Sequence, residues 1–202
     1  MSTGSLCKKA IIVLTLASHA GCALVANQPS RQADEKDASG IFTDGDYPHA
    51  VSALKGGRNE EAMKLFNSVS KLHPELAAPY INIGLIQIKR GNLHSAETAL
   101  LHAAALAPSQ PEIYNSLGII YRRMGRFNDA ETAYLKALQC APDYANAHLN
   151  IGILYDIYLD NLSAARDHYE RYLTLSGGDN ELIKKWLIDV NQRLARTAGA
   201  AK

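Results

Sequence analysis

Residues 111–144 read PEIYNSLGIIYRRMGRFNDAETAYLKALQCAPDY, and this stretch decides the fold. Gly118 lies within its first half, Gly125 separates the two halves, and Pro142 closes the second half. Leu, Ile, Tyr and Phe recur on both sides of Gly125 with the 3.6-residue period of a helix. Glycine can take the positive φ that ends a helix, whereas proline cannot continue one. The stretch therefore predicts two short helices joined by a turn at Gly125.

The same pattern recurs along the chain at intervals of 34 residues. Gly118 is preceded at this interval by Gly84 and is followed by Gly152. Further columns in the same register are Pro74, Pro108 and Pro142; Gly57, Gly91 and Gly125; Ala62, Ala96 and Ala130; Phe66, Leu100 and Tyr134; and Val69, Ala103 and Ala137. A fixed period of this length predicts stacked repeats, in which each unit buries its apolar face against its neighbours.

These columns resemble the tetratricopeptide repeat family, and the resemblance covers residues 43–179. The unit 111–144 is the closest match, through Tyr114, Leu117, Gly118, Tyr121, Gly125, Phe127, Ala130, Tyr134, Ala137 and Pro142. The predicted units are 43–76, 77–110, 111–144 and 145–179. The resemblance implies an all-α fold, a right-handed α-solenoid of about four antiparallel helix pairs.

The two end units depart from the pattern, as expected where one neighbour is missing. The first has Asp46, His49 and Ala50 at signature positions. The fourth gains one residue in its turn, so that its second-helix positions fall on Ala165, Tyr169 and Tyr172.

A last helix is predicted over residues 180–196, with Asp179 or Asn180 as its N-cap. Its apolar stripe consists of Leu182, Ile183, Trp186, Leu187, Val190 and Leu194. This amphipathic pattern is typical of a capping helix that covers the final repeat and turns charge outward. Residues 197–202 are expected to form a loose tail.

The first residues have the pattern of an export signal. Lys8 and Lys9 precede the short apolar run 10–17, which is too short to span a membrane. The ending Ala20-Gly21-Cys22 resembles the bacterial lipobox, which implies removal of residues 1–21 and lipidation of Cys22. Residues 22–42 are polar and mixed in charge, and they predict a flexible tether.

Two alternatives remain for this segment. His19 stands where the lipobox usually has Leu, and Ser18 and Ala20 also suit an ordinary signal peptidase, which would release a soluble periplasmic protein. A buried N-terminal helix is the other alternative. If Cys22 is lipidated, Ala23 favours the outer membrane, because Asp at that place resembles an inner-membrane retention signal.

Composition excludes several classes of protein. The chain has 202 residues, with 21 basic and 20 acidic side chains and a formal net charge of +1, so no overall field attracts nucleic acid. Removal of residues 1–21 takes two lysines and leaves 19 basic residues against 20 acidic ones. Three cysteines are too few for a disulfide scaffold.

No catalytic, phosphate-binding or metal-binding motif is recognisable in the sequence. His94 and His102 lie eight residues apart, about 12 Å along one helix, which is too far for a shared metal. We therefore expect no enzyme activity, no metal, no cofactor and no small-molecule substrate.

The resemblance implies that the first helix of each pair lines a concave groove. The corresponding positions in this chain are Ile81, Asn82, Leu85, Ile88, Lys89, Asn115, Ser116, Ile119, Arg122, Arg123, Asn146, Leu149, Asn150, Ile153 and Asp156. Asn82 and Asn150 are expected to hold the backbone of a bound peptide, because an amide both donates and accepts hydrogen bonds. Arg122, Arg123 and Lys89 could pair with acidic side chains or a terminal carboxylate. The alternative is that these are ordinary solvated helix positions.

The functional expectation is a scaffold in the bacterial envelope, anchored through Cys22, that binds a protein segment in its groove. Small lipoproteins of this layout resemble pilotins and assembly factors of pili and secretion systems, and others resemble adaptors for peptidoglycan enzymes. A soluble periplasmic adaptor and a self-assembling structural protein are the alternatives.

Overall fold

The computed structural model describes residues 46–200, and within this range the chain forms nine helices and no strand. The helices are α1 (Asp46–Lys55), α2 (Asn59–Leu72), α3 (Ala77–Arg90), α4 (Leu93–Leu106), α5 (Pro111–Arg123), α6 (Phe127–Cys140), α7 (Ala145–Ile157), α8 (Leu162–Leu175) and α9 (Glu181–Ala200). The prediction of an all-α solenoid is confirmed. The predicted signal segment 1–21 and tether 22–42, with Cys22, lie outside the described residues.

Helices α1 to α8 pack as four consecutive pairs, and α9 packs on α8. The short turns within the pairs make their helices antiparallel. Helix α5 also contacts α3 and α7, its counterparts in the neighbouring pairs. The first helices of successive pairs therefore lie side by side and form one continuous wall of the stack.

The turn inside the fourth pair is longer than the others. It comprises residues 158–161, whereas the first and third turns are 56–58 and 124–126. Gly57, Gly91 and Gly125 have φ values of 74°, 82° and 76° in the first three turns, and in the fourth turn Asp160 has a φ of 50°. The extra residue predicted in this turn is confirmed.

In the second, third and fourth pairs, a large side chain of the second helix lies directly over a glycine of the first helix. A Cβ on Gly84 would lie 2.6 Å from Cγ of Leu100, and one on Gly152 would lie 2.8 Å from the ring of Tyr169. A Cβ on Gly118 would overlap the ring of Tyr134. The side chains of Phe66, Leu100, Tyr134 and Tyr169 form one repeat column and are fully buried. The glycines thus make room for the largest core residues.

The final helix caps the stack. Its apolar residues Ile183 and Val190 are buried, and the ring of Trp186 lies 6.0 Å from that of Tyr169. The N-cap is Asn180, whose Oδ1 accepts a hydrogen bond from the backbone N–H of Ile183 at 3.2 Å.

The helix continues beyond the predicted end at residue 196 and reaches Ala200, so the predicted tail from residue 197 is wrong. Alanine favours helix, and no proline follows to end it. Nowhere in residues 46–200 does a helix have the length and apolar character needed to cross a bilayer.

Candidate functional site: the wall formed by the first helices

Side-chain hydrogen bonds connect each first helix to the next along the stack. Asn82 Nδ2 donates to Tyr47 Oη at 3.3 Å, and Asn150 Nδ2 donates to Asn115 Oδ1 at 2.9 Å. Arg123 Nη1 donates to the carbonyl of Ile88 at 2.8 Å. Each of these bonds joins residues 35 apart, one repeat plus one position. We call these three bonds the inter-helix ladder.

The ladder changes the interpretation of the amides. Asn82 Nδ2 also donates to the carbonyl of Ala78 at 2.9 Å, so both of its N–H groups are used within the protein. Asn115 is only 6% exposed, and its role is corrected from contacting a partner to supporting Asn150. Ser116 is also buried. Asn150 is half-buried, and within residues 46–200 its Oδ1 accepts no hydrogen bond, so it can accept one from a partner.

Most of the apolar residues predicted to line the groove pack instead against the hydrophobic core. Ile81, Ile119, Leu149 and Ile153 are half-buried and pack against the buried clusters of their repeats. Leu85 is 43% exposed and is the predicted groove residue that offers a partner the most apolar surface.

The predicted cations differ from most other arginines of the described chain. Six arginines are ion-paired to carboxylates: Arg58, Arg90, Arg126, Arg166, Arg171 and Arg193. Over residues 46–200, no carboxylate forms an ion pair with Arg122, Arg123 or Lys89. Lys89 and Arg123 are located at the C-terminal ends of α3 and α5, where the helix dipole also favours positive charge. The wall of the second and third repeats therefore carries positive charge that no carboxylate of the described residues pairs.

Arg122 is the most confined of these cations. It is half-buried, its guanidinium carbon lies 5.9 Å from the centre of the Tyr158 ring, and its Nε is buried without a hydrogen bond within the described part of the chain. Burial raises the pKa of Tyr134, and the nearby charge of Arg122 opposes that rise. The guanidinium of Arg122 is therefore partly removed from water without an anion to pair with it. This environment favours the binding of a carboxylate from outside the described residues.

Asp156 occupies the position of Arg122 in the following repeat, but it is not open to a partner. Its carboxylate accepts hydrogen bonds from Arg193 Nη1 at 2.5 Å and from Tyr169 Oη at 3.2 Å. Burial, followed by the charge of Asp156, raises the pKa of Tyr169. Arg193 of the capping helix α9 thus neutralises Asp156, the counterpart of Arg122 in the next repeat.

Within residues 46–200, no group of three or more His, Cys, Asp or Glu side chains is placed to hold a metal ion. Sequence reasoning missed one polar cluster, which pairs His148 of α7 with His168 of α8. The repeat alignment contains a signal for it, because His148 stands in the column of Tyr80 and Tyr114.

The stack of helix pairs with one polar wall defines a helical repeat scaffold. Two family models for the tetratricopeptide repeat match overlapping stretches, residues 47–111 and 109–176, which together make up more than half of the chain. The chain belongs to the tetratricopeptide repeat family. No curated protein sequence matches it significantly.

Solved structures share this fold. A thermophilic repeat protein of Thermus thermophilus superimposes with a TM-score of 0.60 at 22% identity, over 75% of this chain and 82% of that one. MamA from Desulfovibrio magneticus gives a TM-score of 0.59 at 22% identity, over 67% and 76%. The first repeat domain of Spaghetti (RPAP3), bound to the HSP90 peptide SRMEEVD, gives 0.56 at 24% identity, over 59% and 93%.

Proposed function

We propose that this protein is an interaction scaffold that binds an extended acidic segment of a partner protein along the wall of first helices. The observation that carries the proposal is the absence of any ion-paired carboxylate at Arg122, Arg123 and Lys89 within residues 46–200, although six other arginines there are paired. Proteins of this repeat family are generally scaffolds without enzyme activity, in keeping with this role.

The chemistry of the wall suits such a segment. Carboxylates of the partner meet Arg122 and Arg123, an apolar side chain covers Leu85, and a backbone N–H donates to Oδ1 of Asn150. The peptide bound by the RPAP3 repeat domain, SRMEEVD, is itself acidic. Charge-assisted hydrogen bonds of arginine to carboxylates are about twice as strong as neutral ones.

Peptide selection on the full-length chain tests this assignment. From a random displayed peptide library, we expect the enriched sequences to be rich in Asp and Glu. Their affinity should fall more than about tenfold in R122E/R123E. K64E/K71E is the matched control, because it makes the same charge change at exposed lysines of α2 and should bind like the wild type. Enriched peptides without acidic residues, or equal binding by R122E/R123E, would contradict the proposal.

We also propose that Cys22 anchors this scaffold to the outer membrane, facing the periplasm. Support comes from the charged and apolar segment that precedes Ala20-Gly21-Cys22 in the sequence. Growing cells supplied with clickable palmitate should label the wild type and C140A but not C22A. Absence of label, or equal label on C22A, would leave the soluble periplasmic adaptor as the better assignment.

The system served by the scaffold is proposed to be pilus or secretion assembly, on the resemblance of small repeat lipoproteins to such factors. Crosslinking in the native host followed by mass spectrometry of captured proteins should identify pilus or secretion subunits. Capture of peptidoglycan enzymes instead would favour the adaptor role. Concentration-dependent mass of the full chain in sedimentation would favour self-assembly.

A further inference from the structure

The fourth helix pair contains a direct contact between two histidines. Nδ1 of His148, on α7, lies 2.9 Å from Nδ1 of His168, on α8. Nε2 of His148 lies 2.9 Å from the carbonyl oxygen of Pro142. His148 is only 9% exposed, so one of the two rings is almost removed from water. The contact joins the two helices of the pair.

The preceding repeat shows which parts of this arrangement are ordinary. In the third pair, Tyr114 Oη donates to the carbonyl of Pro108 at 2.9 Å. His148 makes the equivalent bond to Pro142 in the fourth pair, and both residues of this bond lie 34 positions after their counterparts. The position of His168 corresponds to Ala133, which is buried and apolar, once the extra residue of the fourth turn is counted. The fourth repeat therefore differs at both positions together, and the two differences meet in one hydrogen bond.

The hydrogen bonds limit where protons can reside. Pro142 offers only an acceptor, so Nε2 of His148 carries a hydrogen and Nδ1 of a neutral His148 accepts from Nδ1–H of His168. One added proton can enter at Nε2 of His168 without breaking the bond. A second proton, on Nδ1 of His148, would place two N–H groups and two positive charges against each other.

The surroundings favour the neutral pair. Burial, followed by the charge of His148, lowers the pKa of His168 to about 4, and Asp167 opposes this only weakly. The ring of Tyr155 stacks on His168 with centres 5.7 Å apart, and its hydroxyl donates to Glu131 of α6 at 2.7 Å. The neighbouring carboxylates are also ion-paired: Asp167 with Arg166, and Asp143 with Arg171.

We propose that the contact between His148 and His168 is an acid-sensitive latch that holds the fourth helix pair closed at neutral pH. The folded state disfavours protonation relative to the unfolded chain, in which histidine has its ordinary pKa of 6.5. The stabilisation is therefore fully present above about pH 6.5 and is lost progressively as the pH falls toward the folded pKa. Because α9 packs on α8, weakening of the latch also loosens the capping helix.

The chain contains a built-in reporter for this event. Trp186 is the single tryptophan, and its ring packs near Tyr169, which directly follows His168. Urea unfolding of the full chain, followed by tryptophan fluorescence, should show a larger unfolding constant at about pH 5 than at about pH 7.5, by roughly tenfold.

The repeat supplies its own control variant. H148Y/H168A copies the Tyr114 and Ala133 arrangement of the third pair and should lose most of the pH dependence, whereas H94Q/H102Q should retain it. Equal pH dependence in wild type and H148Y/H168A, or none in the wild type, would overturn the latch. If H148Y/H168A does not fold, a histidine NMR titration of the wild type decides. His168 should remain neutral at about pH 5.5, and titration of His168 near its ordinary pKa of 6.5 would overturn the proposal. The latch is independent of the proposed groove ligand.

Discussion

Arg193 of the capping helix donates to the carboxylate of Asp156 on α7, with Nη1 2.5 Å from Oδ1 across 37 residues of sequence. The side chain of Asp156 is 11% exposed and also accepts the hydroxyl of Tyr169 at 3.2 Å. This ion pair ties the cap to the wall of first helices, while the packing of Trp186 ties it to the core.

Replacement of Arg193 should test this connection. R193Q leaves Asp156 with its charge largely buried and without its cation, so we expect the free energy of unfolding to fall by about 1–3 kcal/mol. Urea unfolding measured by tryptophan fluorescence reports the change at Trp186. R196Q on the exposed face of the same helix should be nearly neutral, and an equal loss in both variants would contradict a specific role for the pair.

The glycine column should tolerate no added methyl group where an aromatic ring covers it. G118A places a Cβ into the ring of Tyr134, which is fully buried and cannot move aside without disturbing the core. We expect a loss of about 1–3 kcal/mol or more, measured by thermal or urea unfolding. G199A is the control, because a Cβ there meets nothing within 4 Å and alanine favours helix. A neutral G118A would mean that the second helix can shift outward at little cost.

The ladder bond between Asn115 and Asn150 predicts coupling between the two positions. N150A leaves Oδ1 of the buried Asn115 without its donor, at a cost of about 1–2 kcal/mol. The double variant N115A/N150A should lose less than the sum of the single variants, because it removes both polar groups. A complete double-mutant cycle of urea unfolding measures this difference, and strict additivity would show that the bond contributes nothing.

Alkaline unfolding should depend on the buried tyrosines. Burial is the main cause of the raised pKa of Tyr134, Tyr155 and Tyr169, so the folded state keeps these phenols neutral. Their stabilisation is present below the ordinary pKa of 10.0 and is lost as the pH rises above it. Phenolate absorbance should therefore rise in two stages, with the late stage coinciding with loss of helix by circular dichroism. A single early rise, like that of the chain unfolded in guanidinium, would contradict this expectation.

The repeat columns predicted the helix pairs because glycine, proline and alanine each act at a fixed place in a unit. Gly125, with a φ of 76°, and Pro142 are examples of residues whose local geometry leaves few alternatives. The prediction failed at the last helix, where no proline follows Arg196 and the helix runs on through Gly199 to Ala200. Residues 1–45 are not described, so the signal segment and the lipidation of Cys22 stay predictions.

The candidate site could be predicted only in part. The alignment placed Asn82, Arg122 and Asn150 on the wall, but it could not show which partners their side chains take. Each ladder bond joins residues that are 35 positions apart. An alignment with a 34-residue period compares residues at equivalent positions, so it does not reveal bonds between residues at adjacent positions of two repeats. The contact between His148 and His168 depends on how α7 packs on α8. The repeat pattern predicts that these helices pair, but it does not predict which of their side chains touch.

The inter-helix ladder has a consequence for how a partner would be received. Three hydrogen bonds, each reaching from one repeat to the next, restrain the first helices before any ligand is present. A surface that is preorganised in this way loses little conformational entropy on association, so more of the contact energy is retained as affinity. The wall then acts as a fixed template, and a partner segment has to adapt its own shape to the spacing of the repeats.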